Sequence, residues 1–425
     1  MKVILSQGQG KLLLHQTAAF LKKTNVDVTY ISGWIPRKYP KTVNLIGRLV
    51  GKADLYKKLR LRQPEGLGDD DIIICVLPEV WYWILIILQK IGILSLDTAL
   101  AKGWTYWGSY SKKYINDAQI FHVRSGGGQG GALKKANENG MITIADHSIA
   151  HPISMKKLLI EEYAKFDKPY DLDPETKFWS LVIKDCEDAD YVVVNSDFVK
   201  STFLENGYSP FKIEVIYLGV RADFIGIKTN WQLPVIDPVR LLFIGAFGFR
   251  KGARILIEAM KIFQDRGANI ILDIIGETDE VNELIEGYKL NNIKFHGTLV
   301  YDDLVKFLSN RDIFVFPTFV EGSARAAMEA MGAGIPVITT ATCGIPIENE
   351  KTGIVIKNND TDSLVNGIEK LINNDSLREL IAKNAIELIG TKYTWDNYAN
   401  NLTSFYKRIL SENNKGLPDV DKIKI

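Results

Sequence analysis

The sequence predicts an α/β protein built from two doubly wound, parallel-sheet domains in tandem. Two observations carry that reading. Short β-branched runs alternate with helical patterns through most of the chain, and the alternation stops over residues 219–238 and restarts at Arg240. A chain of 425 residues is also long for one domain.

In the first series Val3 to Leu5, Val26 to Ile31, Ile72 to Leu77, Ile142 to Ile144 and Tyr191 to Val194 read as strands. Leu12 to Lys22, Ala132 to Glu138 and Thr176 to Cys186 read as helices between them. Near-continuous apolar strands separated by helices indicate a parallel sheet covered on both faces. Residues 219–238 carry Gly219, Gly226, Pro234 and Pro238 with little periodicity, which reads as a linker. The second series has strands at Leu241 to Ile244, Ile270 to Ile275, Ile293 to Phe295, Ile313 to Phe316 and Val337–Ile338. Its helices include Arg254 to Phe263, Tyr301 to Ser309 and Ala324 to Met331. Trp395 to Leu410 is helical again. The expected division is 1–218, 219–394, and a terminal helix and tail over 395–425 that returns to the first domain. Ligands of such sheets bind beyond the carboxyl ends of the strands, so a tandem pair implies a cleft between the domains.

Composition bounds the function. Hydrophobic residues make up 46% and charged residues 24%, as in a packed globular protein, and a net charge of +1 points away from nucleic acid as a partner. Cys75, Cys186 and Cys343 lie far apart with no CxxC pair, which fits a reduced, cytoplasmic protein without a disulfide framework or a cysteine zinc site. The start, Met1 to Gly8, has too short an apolar run for a secretory signal. The most apolar run, Val80 to Leu88, falls short of the ~20 residues that span a bilayer.

The richest stretch runs from Phe316 to Met331. A strand ends, a loop carries Glu321, and a helix with small first-turn residues follows. Amides at that helix start can donate to hydroxyl or phosphate oxygens. Glu321 and Glu329, one before and one within the helix, can grip two parts of a polyhydroxy ligand. Spacing alone equally allows Glu321 to favour the helix dipole and Glu329 to lie on a solvated face. The turn Met331 to Val337, with Gly332, Gly334 and Pro336, favours the ligand reading.

Residues Glu321 to Val337 resemble the signature of the retaining glycosyltransferases of family 4 (glycosyl transferases group 1): two glutamates separated by seven residues, then an EAMAxGxPV turn. Asp188 to Phe203 with Ile216 to Val220 resembles the family's ADxVIxxS…F…IPNGV passage. Leu242 to Gly252 resembles its FVGR…KG loop, and Phe295 to Pro317 its FxG…ADVFVxPS passage. The resemblance covers about 210–400 well and the N-terminal half loosely. It implies a GT-B fold, two Rossmann-like domains facing across a cleft, and a nucleotide-sugar donor. The expected donor-binding residues are Gly245, Arg250, Gly322, Ser323, Ala324, Arg325 and Glu329. Glu329 would hold the donor ribose, Glu321 and the following amides the donor sugar, and Lys251 the diphosphate. The last role also follows from physics, because charge develops on the leaving diphosphate and a fixed cation helps most there. No metal and no cofactor are expected.

Two departures stand out. Ala246 replaces the arginine that usually follows the glycine matching Gly245, and Ser323–Ala324 replace an aromatic and a glycine. A second cation for the diphosphate is therefore expected from Arg250 or Arg325, although adjacent side chains such as Arg250 and Lys251 generally point apart, and Arg250 can equally be a solvated side chain.

In the N-terminal half, Gly8 and Gly10 follow the first strand. No third glycine follows and no acid ends the second strand, so this is not a dinucleotide fingerprint. A tight turn and the family's cleft glycine loop remain open. Ser125 to Gly131 lacks the Lys-Ser/Thr of an NTPase loop, which leaves a cleft loop or a plain turn. His147 and His151 lie four apart, but Pro152 and the absence of an intervening Glu argue against zinc. His147 follows a strand end, and several family members place a histidine there against the transferred sugar; a loop histidine capping backbone is the alternative.

Between Trp34 and Arg62 stand nine basic residues (Arg37, Lys38, Lys41, Arg48, Lys52, Lys57, Lys58, Arg60 and Arg62) against Asp54, followed by the aromatic-rich stretches 81–88 and 104–114. That combination suits an anionic cytoplasmic membrane surface, with a solvated basic face beside a buried helix as the plainer reading. The expected partners are thus a nucleotide-sugar donor, a glycan or lipid-linked acceptor, and an anionic membrane surface. The rival readings are a phosphorylase, for which no cofactor lysine is identifiable, and a non-catalytic GT-B module that binds glycan or protein. Such a module should lack one of Lys251, Glu321 and Glu329, and all three are present.

Overall fold

The computed structural model describes residues 1–8, 13–36, 40–49, 55–170, 173–299 and 301–413. Its first sheet has seven strands: β1 Lys2–Ser6, β2 Asp27–Ser32, β3 Ile72–Ile74, β4 Ile120–Arg124, β5 Ile142–His147, β6 Tyr191–Val194 and β7 Ile213–Val215. They run in the order β3-β2-β1-β4-β5-β6-β7, and every pair is parallel. The second sheet has six: β8 Val239–Ile244, β9 Ile270–Ile275, β10 Ile293–Phe295, β11 Ile313–Phe316, β12 Val337–Thr340 and β13 Ile354–Ile356. Their order, β10-β9-β8-β11-β12-β13, reverses in the same way and is again parallel throughout. The strand order of each sheet changes direction once, between β1 and β4 and between β8 and β11, and ligands of doubly wound sheets bind at that switch point.

The sequence reading placed a strand over Ile72 to Leu77, and the structure shortens it. The last ladder bond runs from the Cys75 amide to the Ser32 carbonyl at 2.8 Å. A helix, Val76–Lys90, then begins. Pro78 is the reason: it cannot donate within a central strand, yet costs nothing in a first helical turn, where amides lack partners anyway. The sequence reading names no strand range over β4, β7 or β13; of these β7 and β13 are three-residue edge strands, which carry little period-two signal.

Residues 219–238 hold one short 3-10 turn, Ala222–Phe224, and no strand. The terminal helix Trp395–Asn413 lies on the first sheet, not the second. Its Tyr406 hydroxyl meets His122 Nδ1 at 2.6 Å, its Tyr398 hydroxyl meets Thr17 at 2.9 Å, and Trp395 stacks on Phe20. The helix Pro152–Ala164, which follows β5, crosses the other way. Ala150, Met155 and Leu159 join the apolar core of the second domain.

That crossing is locked by charge and aromatic contact. Glu162, buried, accepts from Arg254 Nε at 2.7 Å and Nη2 at 3.0 Å, and Lys165 lies 3.1 Å away. Phe166 stacks on Phe249 with centroids 4.5 Å apart. Removing one partner of a buried pair strands the other, which typically costs about 3–5 kcal/mol. Arg254 keeps Glu258 at 2.9 Å, so Glu162→Ala is expected near the lower end, about 3 kcal/mol. Chemical denaturation of the variant checks this, and an unchanged midpoint contradicts it.

Candidate functional site

Two loops meet at the switch point of the second sheet. The first leaves β8 through Gly245, whose φ of +137° is unfavourable for residues with a Cβ. A Cβ there would also stand 2.7 Å from Lys251 Nζ. The loop ends in the turn Phe249–Lys251, and Gly252 (φ +79°) then admits the helix Ala253–Asp265. A Cβ on Gly252 would sit 2.1 Å from the Pro317 carbonyl of the second loop, so the loops pack backbone to backbone. The Arg250 carbonyl accepts from the Phe319 amide at 3.0 Å and the Thr318 hydroxyl at 3.1 Å.

This lacing fixes the charges. Arg250 Nη1 donates to Glu321 Oε1 at 2.6 Å and to the Val320 carbonyl at 2.9 Å. Lys251 Nζ lies 3.6 Å from the same Oε1. Neighbouring side chains thus do converge, because the 3-10 turn curls them onto one carboxylate. Arg250 is a quarter exposed and paired, so it is not a solvated side chain. Burial pulls the Lys251 ammonium below its ordinary pKa, with Glu321 opposing the shift.

The helix Arg325–Ala333 follows the second loop. The amides just ahead of it are not all free, as the sequence suggested. Glu321 N donates to the Thr342 carbonyl at 3.0 Å and Ala324 N to the Cys343 carbonyl at 3.2 Å, because the loop after β12 packs against them. Ser323 turns inward, its hydroxyl donating to Met328 Sδ at 3.3 Å, and Ala324 belongs to the core. Neither of these two side chains faces the cleft. Glu329 is largely buried instead of lying on a solvated face; burial raises its pKa, opposed by Arg325, whose Nε lies 3.4 Å away. Arg325 itself is half exposed and stands with Glu329, away from the Arg250–Lys251 pair on Glu321.

Gly322 is one of the points at which the two domains touch. Its carbonyl accepts from Ser196 Oγ at 2.5 Å, and a Cβ there would stand 1.9 Å from the Ser148 carbonyl. Asn195 Nδ2 holds that same Ser148 carbonyl at 3.3 Å.

On the first sheet, Gly8 (φ +81°) packs against the Trp104 ring, which an added Cβ would meet at 2.5 Å. Gly10 lies outside the described residues. The loop Ser125 to Gly131 is pinned: the buried Asp185 carboxylate accepts from the Gly126 and Gly128 amides at 2.6 and 2.7 Å and from Gln129 Nε2 at 2.9 Å. Burial raises Asp185 to about 7.

His147, expected against the transferred sugar, is buried at the end of β5. Its ring is 2% exposed, with Nδ1 3.0 Å from Ser125 Oγ, and packs edge-on against Phe203. Alternation along β5 decides this, since successive side chains leave opposite faces. Its neighbour Asp146, which sequence reasoning passed over, is the more accessible. Asp146 accepts from Arg124 Nη1 at 2.8 Å, lies 3.5 Å from His122 Nε2, and lines a small cavity that His147, Thr17, Asn195 and Tyr398 also line. Burial pushes its pKa up, but His122 and Arg124 outweigh that and hold it below the ordinary carboxylate value. His151 caps the helix Pro152–Ala164 and packs against Phe203 and Tyr208. Among the described residues no group of three or more His, Cys, Asp or Glu is placed to hold a metal ion.

The fold is GT-B. Sucrose-phosphate synthase from Thermosynechococcus elongatus superposes with a TM-score of 0.68 at 16% identity, over 97% of this chain and 99% of that one. HepE of Anabaena, solved in complex with UDP and glucose, superposes with 0.63 at 16% identity, over 96% and 99%. Residues 231–388 match the family model "Glycosyl transferases group 1". The capsular polysaccharide biosynthesis glycosyltransferase CapM of Staphylococcus aureus is 31% identical over 175 residues, covering 40% of this chain and 46% of CapM. An uncharacterized glycosyltransferase of Methanocaldococcus jannaschii is 30% identical over 212 residues, covering 46% and 54%. The chain spans about half the length of the curated relatives it matches. The matched region contains both switch-point loops of the second sheet.

Burial, with Arg124 nearby, lowers the His147 imidazole to about 3, against an ordinary value near 6.5. The unfolded chain therefore takes up a proton at this site below about pH 6.5 and the folded chain does not. His147 thus draws stability down as pH falls from about 6.5 towards 3. Imidazole NMR signals should show His147 neutral at pH 5. A titration midpoint near 6.5 for this ring contradicts the burial argument.

Proposed function

We propose that the chain is a retaining, metal-independent glycosyltransferase. It moves a sugar from a nucleotide-sugar donor to a glycan or lipid-linked acceptor, in cell-surface polysaccharide or glycoconjugate synthesis on the cytoplasmic side of the membrane. The observation that carries the reading is the convergence of Arg250 and Lys251 on one oxygen of Glu321, at the switch point of the second sheet. The match of residues 231–388 to the glycosyl transferase group 1 model supports the reaction class, and the resemblance of Glu321 to Val337 to the retaining family 4 signature supports retention.

A donor diphosphate is a stronger partner for two cations than a single carboxylate. It displaces Glu321 from Arg250 and Lys251, and the freed carboxylate turns to the donor sugar. As the bond from the anomeric carbon to the diphosphate oxygen breaks, charge accumulates on the leaving group, where the two cations stabilise it without a metal. The half-buried setting strengthens that interaction over its value in water. Glu329, kept in a buried position that favours its neutral form, holds the ribose hydroxyls. Asp146, at the opposite sheet edge, faces the acceptor.

Losing one cation from such a site costs about 10²–10³ in rate. Lys251→Ala and Arg250→Ala should each lose that much in kcat, Arg325→Ala only a few-fold, and Glu329→Ala should mainly raise the donor KM. Glu321→Ala should abolish transfer while the fold persists. Steady-state kinetics with a donor found by thermal-shift screening of nucleotide sugars decides this, since a bound donor raises the melting temperature by mass action. NMR of the product anomer tests retention. Wild-type kinetics in both glutamate variants would contradict the assigned site.

A further inference from the structure

Among the described residues, twelve of the twenty exposed large hydrophobic side chains fall between Leu45 and Tyr106. Six of them form one continuous ridge. Leu77, Trp81, Ile84 and Ile87 recur along one side of the helix Val76–Lys90, and Ile91 and Ile93 extend the row through the turn that follows. The other side of the helix is occupied. Leu85 is buried, and Glu79 binds Arg62 through two bonds at 2.9 and 3.1 Å and accepts from Trp83 Nε1 at 3.0 Å. A helix so anchored presents its outer ridge rigidly, although exposure of this much contiguous apolar surface is costly in water.

The surroundings of the ridge indicate what covers it. Trp81, Tyr106, Tyr110 and Tyr114 form a ladder of edge-on rings beside it, at centroid spacings of 6.2, 6.2 and 6.3 Å. Lys113 Nζ lies over Tyr110 and Tyr114 at 3.6 and 4.9 Å. The charges left exposed on this helix, on its packing partner Leu96–Ser111 and on the turn after it are all positive: Lys90, Lys102, Lys112 and Lys113. The acids of the two helices are used internally. Glu79 is in its buried pair, and Asp97 accepts from the Lys177 and Phe178 amides. An apolar ridge flanked by amphipathic rings and unopposed lysines complements the layered chemistry of an anionic bilayer: acyl chains, then the headgroup boundary, then phosphate.

We propose that the helix Val76–Lys90 is a monotopic docking helix that lies in the surface of an anionic membrane. No helix among the described residues is long and apolar enough to cross one, and 15 residues at 1.5 Å each reach about 22 Å, less than a hydrocarbon core of ~30 Å. The helix starts at the carboxyl edge of β3, and its Glu79 sits against Gly33 at the end of β2, where an added Cβ would meet that carboxylate at 2.3 Å. The docked face therefore adjoins the acceptor side of the cleft, and an amphiphilic acceptor can enter from the bilayer without leaving it. Of the basic residues singled out in the sequence, Arg37, Lys38 and Lys52, with Asp54, lie outside the described residues, and the surface does not depend on them. It stands whether or not the chain transfers sugars.

Flotation of the full chain with phosphatidylcholine vesicles containing phosphatidylglycerol tests it. The wild type should float at low salt, bind at least tenfold less to pure phosphatidylcholine, and be partly released by high salt. Ile84→Glu with Ile91→Glu, both exposed positions, should cut vesicle binding at least tenfold with an unchanged circular dichroism spectrum and melting temperature. Lys112→Glu with Lys113→Glu should remove the preference for anionic lipid. A wild type that stays at the bottom at low salt overturns the proposal. So does an Ile84/Ile91 variant that floats like the wild type. A wild-type dimer by light scattering that these apolar substitutions split, with no vesicle binding, assigns the ridge to a second copy of the chain instead.

Discussion

The contact on which the proposed chemistry depends is the meeting of Arg250 and Lys251 at a single oxygen of Glu321. It needs two loops from neighbouring strands to approach closer than side chains allow, which Gly252 makes possible, while Gly245 leaves room for the Lys251 ammonium. The aligned carbonyl and amide contacts around Arg250 then hold both cations in one place with little freedom left to lose. Two positive charges held together repel unless an anion lies between them. Glu321 supplies that anion within the fold, so the site resembles an anion-binding pocket occupied by its own carboxylate.

The same contact couples the domains. Phe249, one residue before Arg250, stacks on Phe166 beyond the end of the helix Pro152–Ala164, and Gly322, one residue after Glu321, touches Ser148 and Ser196. The helix runs from the β5 loop of the first domain into the core of the second and is fastened by the Glu162–Arg254 pair. A displacement of one domain is therefore felt directly by the cation loop. The glycines at these junctions are places where backbone meets backbone, which explains why the loops are rich in them.

Much of this was legible in the sequence. The two strand–helix series, the linker and the terminal helix follow from period and composition, because fully buried parallel strands leave long apolar runs. Lys251, Glu321 and Glu329 were singled out through a family resemblance spread over several separated motifs, and the structure brings Lys251 to Glu321 but Glu329 to Arg325. What remained hidden depended on geometry at the scale of one residue. Ile72 to Leu77 reads as a strand until Pro78 is weighed. His147 and Asp146 are adjacent, and only the pleat decides which is the more deeply buried. The inward turn of Ser323 onto Met328 and the use of the Glu321 and Ala324 amides by the loop after β12 are tertiary contacts with no local signature. The convergence of Arg250 with Lys251 overrides the usual divergence of neighbouring side chains, and it comes from a single 3-10 turn.

The central claim is that Glu321 and a donor diphosphate compete for the same two cations. Calorimetric titration with uridine, guanosine and adenosine diphosphates, which carry no sugar, isolates that competition. In Glu321→Gln the internal carboxylate charge is gone, so the preferred nucleoside diphosphate should bind at least as tightly as to the wild type, and binding should weaken sharply in Arg250→Ala and Lys251→Ala. Loss of diphosphate binding in Glu321→Gln, or unchanged binding in the two cation variants, would contradict the account.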